Sequence, residues 1–221
     1  MPHTLAARPK RVWPIVTALA AMFIVALMAF RMPAHAQTTP PPQPNTDQIA
    51  DPSATPPDDD ELWVALRDGG VALIRHSLAP GTGDPGTFKL DDCSTQRNLS
   101  DEGREQARRV GEAFEENSVI VARVAYSQWC RTRETAELAF PDKGEPEPAL
   151  NSFFGDRSTA EDQTDAVREL VTNWDGPDTL VLVTHQVNIT ALTDVFPRSG
   201  EIIVLRPQEG DFEVLGRITA E

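Results

Sequence analysis

Basic residues are scarce in this chain of 221 amino acids. It contains 20 lysines and arginines against 34 aspartates and glutamates, for a formal net charge of −14. Four of the basic residues and none of the acidic ones lie within the first 36 positions, so the remainder has 16 basic against 34 acidic side chains. Its surface repels nucleic acids and anionic membranes, which excludes binding to a phosphate backbone as the main function. An anionic ligand would need a local basic pocket.

Cysteine is equally rare, and Cys93 and Cys130 are the only two in the chain. In an oxidising compartment they can form a disulfide, which would stabilise the fold by about 4 kcal/mol in the chain-entropy model. Two buried free thiols are the alternative. The chain also lacks the His-x-x-x-His and Cys-x-x-Cys spacings typical of zinc sites. The sequence therefore favours a disulfide and predicts no metal and no cofactor.

Charge is absent from residues 12–30, a run of nineteen positions. Three basic residues precede this run and Ala34-His35-Ala36 follows it, which predicts a signal peptide over residues 1–36. Nineteen helical residues would nearly cross a bilayer core of about 30 Å, so an uncleaved inner-membrane anchor is the alternative. Both interpretations place the rest of the chain outside the cytoplasmic membrane, in the periplasm or otherwise exported.

The next segment, residues 37–58, is rich in Pro, Thr, Asp and Gln, with four prolines between positions 40 and 44. It cannot bury a core and is predicted to be a disordered linker. Residues 59–221 are long enough for one domain with a sizeable core.

Within this domain, apolar runs of strand length alternate with segments of helical periodicity. Helices are predicted over residues 61–68, from the N-cap Ser100 to 116, and over 131–139 and 161–173. Strands are predicted over residues 71–74 and 179–184, and a connection and a strand over 119–126. Residues 200–205 and 212–218 are predicted to form a terminal hairpin or to add edge strands. Residues 77–92 have no apolar period and are predicted to form an irregular loop. The alternation predicts an α/β fold, a three-layer α/β/α sandwich with a largely parallel sheet.

The two histidines of the domain each end an apolar strand: His76 follows Arg75, and His185 follows residues 179–184. Parallel neighbouring strands would bring both to one edge of the sheet, where α/β proteins build their sites. Hydrogen-bonded structural histidines at strand ends are the alternative.

Four motifs in order resemble those of the histidine phosphatase superfamily, and the resemblance spans about residues 71–187. They are Leu73-Ile74-Arg75-His76, Arg97-Asn98-Leu99-Ser100-Asp101-Glu102-Gly103-Arg104-Glu105-Gln106-Ala107, Tyr126-Ser127-Gln128-Trp129-Cys130-Arg131-Thr132-Arg133-Glu134-Thr135-Ala136 and Val183-Thr184-His185. The resemblance implies a phosphoglycerate mutase-like fold and a member of the small exported branch.

It also implies that His76 is the nucleophile, that Arg75 and Arg131 bind phosphate, and that His185 is the second histidine of the pocket. A neutral imidazole can form a phosphohistidine that water then hydrolyses, and arginine forks match the phosphoryl oxygens. A carbonyl that accepts from the other ring N–H of His76 would hold the required tautomer. A protonated His185 would donate to the same oxygens.

Arg97 and Asp156 are further candidates for substrate binding. Arg97 enters the pocket from the long loop or lies on the surface beside a helix start. Asp156 is the first candidate for the leaving-group acid, with Asp84 and Glu134 behind it. An ordinary surface carboxylate is the alternative for each.

Three departures from the family pattern narrow the function. Ser77 replaces a common glycine, and Leu78-Ala79-Pro80 stands where mutases carry an acidic residue, so mutase activity is not expected. Gln186 replaces the aspartate that donates the proton in the acid phosphatase and phytase branch.

The expected function is an exported, metal-independent phosphatase that hydrolyses phosphomonoesters through a phosphohistidine on His76. Its partner is a small phosphorylated substrate. The family resemblance and the predicted export make envelope sugar phosphates the candidate substrates. The alternatives are a non-catalytic phosphate-binding module of the same fold and a phosphohistidine phosphatase. The sequence does not indicate an oligomeric state.

Overall fold

The computed structural model describes residues 57–220. The predicted signal peptide or anchor, and almost all of the predicted linker, lie outside these residues. No helix within residues 57–220 is both long enough and apolar enough to cross a membrane.

The described chain alternates helices with strands. The helices are α1 (Asp59–Arg67), α2 (Asp101–Glu116), α3 (Cys130–Ala139), α4 (Ala160–Thr172) and α5 (Gln186–Thr193). The strands are β1 (Val71–Arg75), β2 (Val121–Tyr126), β3 (Gly144–Pro146), β4 (Thr179–Thr184), β5 (Ile202–Gln208) and β6 (Asp211–Ile218). Short 3₁₀ turns cover Cys93–Thr95, Pro148–Leu150 and Arg157–Thr159.

Six strands form one sheet in the order β3-β2-β4-β1-β5-β6. Strands β1 to β4 run parallel, whereas β5 pairs antiparallel with β1 and with β6. The predicted α/β fold with a largely parallel sheet is confirmed, and the predicted terminal hairpin is β5–β6. Because β1 and β4 pair from Val71↔Leu180 to Arg75↔Thr184, their carboxyl ends lie side by side.

Apolar side chains on the central strands alternate between the two faces of the sheet. On one face, Ala72 and Ile74 of β1 pack in a core with α1, α2 and α3. On the other, Val71 and Leu73 pack in a core with α4 and α5. Both cores are buried, so the sheet is the middle layer of an α/β/α sandwich.

Helix α2 starts where the sequence predicts, because the Ser100 side chain caps it by accepting from the Gly103 N–H at 3.1 Å. Gly103 also lets the helix approach the chain that leaves β1. A Cβ at this position would lie 2.1 Å from the Leu78 carbonyl oxygen. Any larger residue would therefore push α2 away from the start of the loop.

Helix α5 and strand β3 were not among the predicted elements. Helix α5 has only eight residues, and its N-cap residue, His185, makes no side-chain capping bond. Its buried residues include Asn188 as well as Val187, Ile189 and Leu192, so it lacks a clean apolar stripe. Strand β3 has three exposed residues at the edge of the sheet.

Cys93 and Cys130 form a disulfide with a Cα–Cα distance of 5.7 Å, so the alternative of two free thiols is wrong. The bond joins the 3₁₀ turn before α2 to the first residue of α3. Gln96 reinforces the junction, since its Oε1 accepts from the Cys130 N–H at 2.9 Å. The disulfide therefore ties the long loop to the helix end that carries Arg131.

We expect the double substitution Cys93→Ala and Cys130→Ala to lower the free energy of unfolding by about 4 kcal/mol, because the bridge closes a long loop in the unfolded chain. Urea denaturation measures the difference. Reductant should destabilise the wild-type protein and leave the double variant unchanged, which controls for the lost sulfur packing. Equal unfolding free energies for wild type and variant would contradict the prediction.

Candidate active site

The paired ends of β1 and β4 bring the two histidines of the domain together. Both side chains are buried, and their ring centroids lie 5.4 Å apart. The His76 backbone N–H donates to the Thr184 carbonyl at 2.9 Å, which continues the strand pairing up to the nucleophile candidate. One site therefore contains both histidines.

His76 is held in a defined tautomer. Its Nδ1 lies 2.7 Å from the Ser77 carbonyl oxygen, which can only accept, so Nδ1 carries the proton and Nε2 keeps a lone pair. Burial lowers the pKa of His76 well below its usual range, and the nearby Arg131 lowers it further. The imidazole is neutral at neutral pH, which is the form that can attack phosphorus.

His185 is neutral as well, with the opposite tautomer. Its Nδ1 accepts from the Arg131 guanidinium at 3.4 Å, so Nε2 carries the proton and donates to Ser127 Oγ at 2.8 Å. Burial, followed by the charge of Arg131, lowers the pKa of His185 well below its usual range. Donation from a protonated His185 to a phosphate therefore requires that a proton enter with the anion, whose charge raises this pKa.

Arg131 lies at the start of α3, where the helix dipole gives a cation no stabilisation. Its side chain is 3% exposed and forms a two-pronged ion pair with Asp84, at 2.8 Å from Nη1 and 3.2 Å from Nη2. Asp84 also accepts from the Trp129 indole and from the Arg97 backbone N–H, both at 3.1 Å. One loop carboxylate thus positions three neighbours.

Arg97 and Arg75 reach the same cavity from different segments. The Arg97 guanidinium donates to the carbonyls of Gly83 and Ala79. The Arg75 Nη1 donates to the Pro197 carbonyl at 2.9 Å. Burial lowers the pKa of both guanidiniums, although an arginine stays charged in water-accessible sites.

The three guanidiniums make a local basic pocket in an acidic protein. The buried Nε atoms of Arg75 and Arg131 have no hydrogen-bond partner among the described residues. Buried donors of this kind are expected to find an acceptor, and an oxyanion supplies one to each. The geometry suits a tetrahedral anion beside His76.

One cavity of about 610 Å³ is lined by all six residues that the sequence analysis assigned to the site. Those residues are Arg75, His76, Arg97, Arg131, Asp156 and His185. Asp84 lines it too, whereas Glu134 pairs with Arg104 at 2.6 Å and is not among the lining residues.

Neither carboxylate in the cavity holds a proton. Asp156 is exposed at the rim, and the hydrogen bond from the Ser158 N–H lowers its pKa. Burial alone would raise the pKa of Asp84, but hydrogen bonds from Arg97, Arg131 and Trp129 outweigh it, so the pKa is lowered. Both are ionised at neutral pH and are not general acids in this arrangement.

Sequence reasoning missed the contributions of Ser127 and Trp129. Ser127 bonds the proton-bearing nitrogen of His185, and the Trp129 ring lies against His185 with its centroid 5.4 Å away. Both follow the last residue of β2, Tyr126, and precede Arg131 in the same motif. Their place at a strand end was the available signal.

Residues 71–153 match the family model described as histidine phosphatase superfamily (branch 1). No curated protein matches the chain in sequence.

Three solved structures have the same fold. The protein histidine phosphatase SixA complexed with tungstate is 18% identical, with a TM-score of 0.51 over 68% of this chain and 97% of that chain. The Mycobacterium tuberculosis protein Rv3214 is 18% identical, with a TM-score of 0.53 over 70% of this chain and 100% of that chain. The phosphoglycerate mutase from Bacillus anthracis is 14% identical, with a TM-score of 0.52 over 68% of this chain and 94% of that chain.

The segment that matches the family model begins at β1 and contains His76, Arg97 and Arg131, and β4 adds His185 to the same edge of a phosphoglycerate mutase-like sheet. The resemblance to the histidine phosphatase superfamily that the sequence motifs predict is confirmed over residues 71–153, and the fold is phosphoglycerate mutase-like.

Proposed function

We propose that this protein is a metal-independent phosphatase that hydrolyses small phosphomonoesters through a phosphohistidine on His76. The observation that carries the proposal is the state of His76: a neutral imidazole with Nδ1–H held by the Ser77 carbonyl, at the floor of a cavity lined by three arginines. The match of residues 71–153 to the histidine phosphatase superfamily model supports phosphatase chemistry in general.

In the first step, the Nε2 lone pair of His76 attacks phosphorus. A P–N bond forms as the ester P–O bond breaks in line, and the leaving oxygen takes the electron pair. Arg75, Arg97 and Arg131 stabilise the charge on the phosphoryl oxygens. In the second step, water attacks phosphorus, the P–N bond breaks, and neutral His76 and inorganic phosphate are restored.

The ionised state of Asp84 and Asp156 supports a second candidate, hydrolysis of phosphohistidine. A nitrogen leaving group that can take up a proton needs less help from a general acid than an alkoxide does. The SixA structure that shares this fold is that of a protein histidine phosphatase. A cytoplasmic phosphoprotein partner would be required, which fits the N-terminal sequence pattern poorly.

The proposed place of action is outside the cytoplasmic membrane. The uncharged run with its Ala-x-Ala site supports export, and the Cys93–Cys130 disulfide fits an oxidising compartment. N-terminal sequencing of protein recovered from the cell envelope should begin at Gln37. An intact N-terminus in the membrane fraction would indicate an anchor, and recovery of reduced protein from the cytoplasm would contradict export.

For the catalytic proposal, we expect the purified protein to hydrolyse p-nitrophenyl phosphate with EDTA present, and His76→Ala to fall to the background rate. Rapid quenching should trap an acid-labile phosphoryl group on wild type and none on the variant. Thermal melting checks that the variant is folded.

Two arginine-to-lysine changes provide a matched control. Arg131→Lys keeps the charge but loses the fork, so it should lower kcat by roughly 100-fold. Arg104→Lys, at a partly exposed ion pair away from the cavity, should change kcat by about twofold at most. A folded wild type that binds phosphate yet neither turns over nor labels would establish the non-catalytic module instead.

The lowered pKa of both histidines predicts an unusual pH dependence. Their ring resonances in NMR spectra should not titrate between about pH 5.5 and 7.5, whereas in urea both should titrate near pH 6.5. Because the unfolded chain binds protons in this range and the folded chain does not, stability should fall as pH drops below about 6.5. A midpoint near 6.5 for His76 in the folded protein would contradict the prediction.

A further inference from the structure

Part of the lining of the cavity beside His76 is aromatic. Four aromatic side chains line it besides the histidines, and we call them the aromatic rim: Phe88, Trp129, Phe154 and Phe196. Phe154 is 53% exposed and Phe196 is 68% exposed. The other exposed large hydrophobic residues among positions 57–220, Val64, Ile120 and Val214, do not line this cavity.

The residues of the aromatic rim pack against, or are adjacent in the chain to, residues that position the arginines of the phosphate pocket. Phe88 stacks on Trp129 with centroids 5.0 Å apart, and the Trp129 indole bonds Asp84. Phe154 lies over the loop that carries Asp84, with its ring 3.7 Å from the position that a Cβ on Gly83 would take. Phe196 precedes Pro197, whose carbonyl holds Arg75. The rim therefore lies beside the groups that position the arginines of the phosphate pocket.

The size of the cavity shows that more than a phosphoryl group fits. A volume of about 610 Å³ lies in the range of pockets that enclose drug-sized ligands. A ligand that covers exposed phenyl rings binds more tightly in proportion to the apolar area that it removes from water. The leaving group would contact the rim.

Four polar side chains line the cavity besides the arginines, the histidines and Asp84: Thr82, Ser152, Asp156 and Gln186. Ser152 already accepts from the Phe154 N–H and Asp156 from the Ser158 N–H, and Gln186 donates to Thr190. Sugar hydroxyls that lose water without new partners weaken binding. An aromatic ring has no such requirement and packs edge-to-face or offset against phenyl and indole rings.

The leaving group also has to depart with little help from an acid. A phenol, with a pKa of about 10, leaves as its anion more readily than an aliphatic alcohol, whose pKa is near that of water at about 16. The ionised carboxylates of the cavity and the aromatic rim therefore favour the same substrates.

We infer that the site takes aryl phosphomonoesters, with the aromatic ring of the leaving group covered by the rim, in preference to sugar phosphates. This inference rests on the proposed phosphatase function and narrows its substrate class.

Binding of phosphonates, which the enzyme cannot hydrolyse, tests the rim separately from turnover. By calorimetry, phenylphosphonate should bind about tenfold more tightly than methylphosphonate, a difference of about 1.4 kcal/mol. In the double variant Phe154→Ala and Phe196→Ala, that preference should fall to within about threefold. Ile120→Ala, at a side chain 65% exposed but outside the cavity, is the matched control and should keep the full preference.

Three results would overturn the inference. They are equal binding of the two phosphonates by wild type, tighter binding of hexylphosphonate than of phenylphosphonate, and tighter binding of glucose 6-phosphate than of phenylphosphonate. The second would indicate an alkyl chain and the third a sugar. If wild type turns over no faster than His76→Ala while phenylphosphonate is still preferred, the phosphatase proposal fails and the rim remains a recognition surface for aryl phosphates.

Discussion

The ion pair between Asp84 and Arg131 is the contact on which the arrangement of the site depends. Arg131 begins a helix and is almost fully buried, so its charge is stabilised neither by the dipole nor by water. Asp84 compensates it with both oxygens and also holds the Trp129 indole and the Arg97 backbone. Loss of one partner from a buried pair typically costs about 3–5 kcal/mol, because the remaining charge is left unpaired. A phosphate that enters beside Arg131 thus meets a guanidinium already in position and shares it with a carboxylate.

The loop that carries Asp84 has almost no regular secondary structure, and contacts from outside determine its shape. The disulfide ties its far end to α3, the Arg97 side chain bonds the carbonyls of Ala79 and Gly83, and the close approach at Gly103 holds its start against α2. Irregular backbone can be well positioned when its polar groups are bonded in this way. The export proposal and the site are linked at this point, since the covalent tie that supports the loop forms where thiols are oxidised.

The features that could be predicted from the sequence are those with a local signal. Apolar runs predicted the strands, the Ser100 cap predicted the start of α2, and parallel strand ends predicted that His76 and His185 meet. The partnership of Asp84 with Arg131 joins positions 47 residues apart, one of them in a loop without periodicity, so no pattern in the sequence indicates it. Helix α5 was missed because it is short, uncapped and buried on several sides, which removes the amphipathic period.

Charge balance decides which alcohols can leave from this site. Burial, together with the charges of the three guanidiniums, lowers the pKa of His76 and keeps the nucleophile neutral. Hydrogen bonds from the Arg97 backbone, Arg131 and Trp129, together with the charge of Arg131, lower the pKa of Asp84 and keep it ionised. A phosphate dianion brings negative charge next to Asp84 and raises the pKa of this carboxylate. Asp84 can therefore take up a proton only after the substrate has bound. Until then neither Asp84 nor Asp156 can donate a proton, so the leaving oxygen departs as an anion and the rate depends on the stability of that anion. In the proposed reaction, a site with three guanidiniums and ionised carboxylates selects its substrates by the leaving group, which is the part that the aromatic rim would contact.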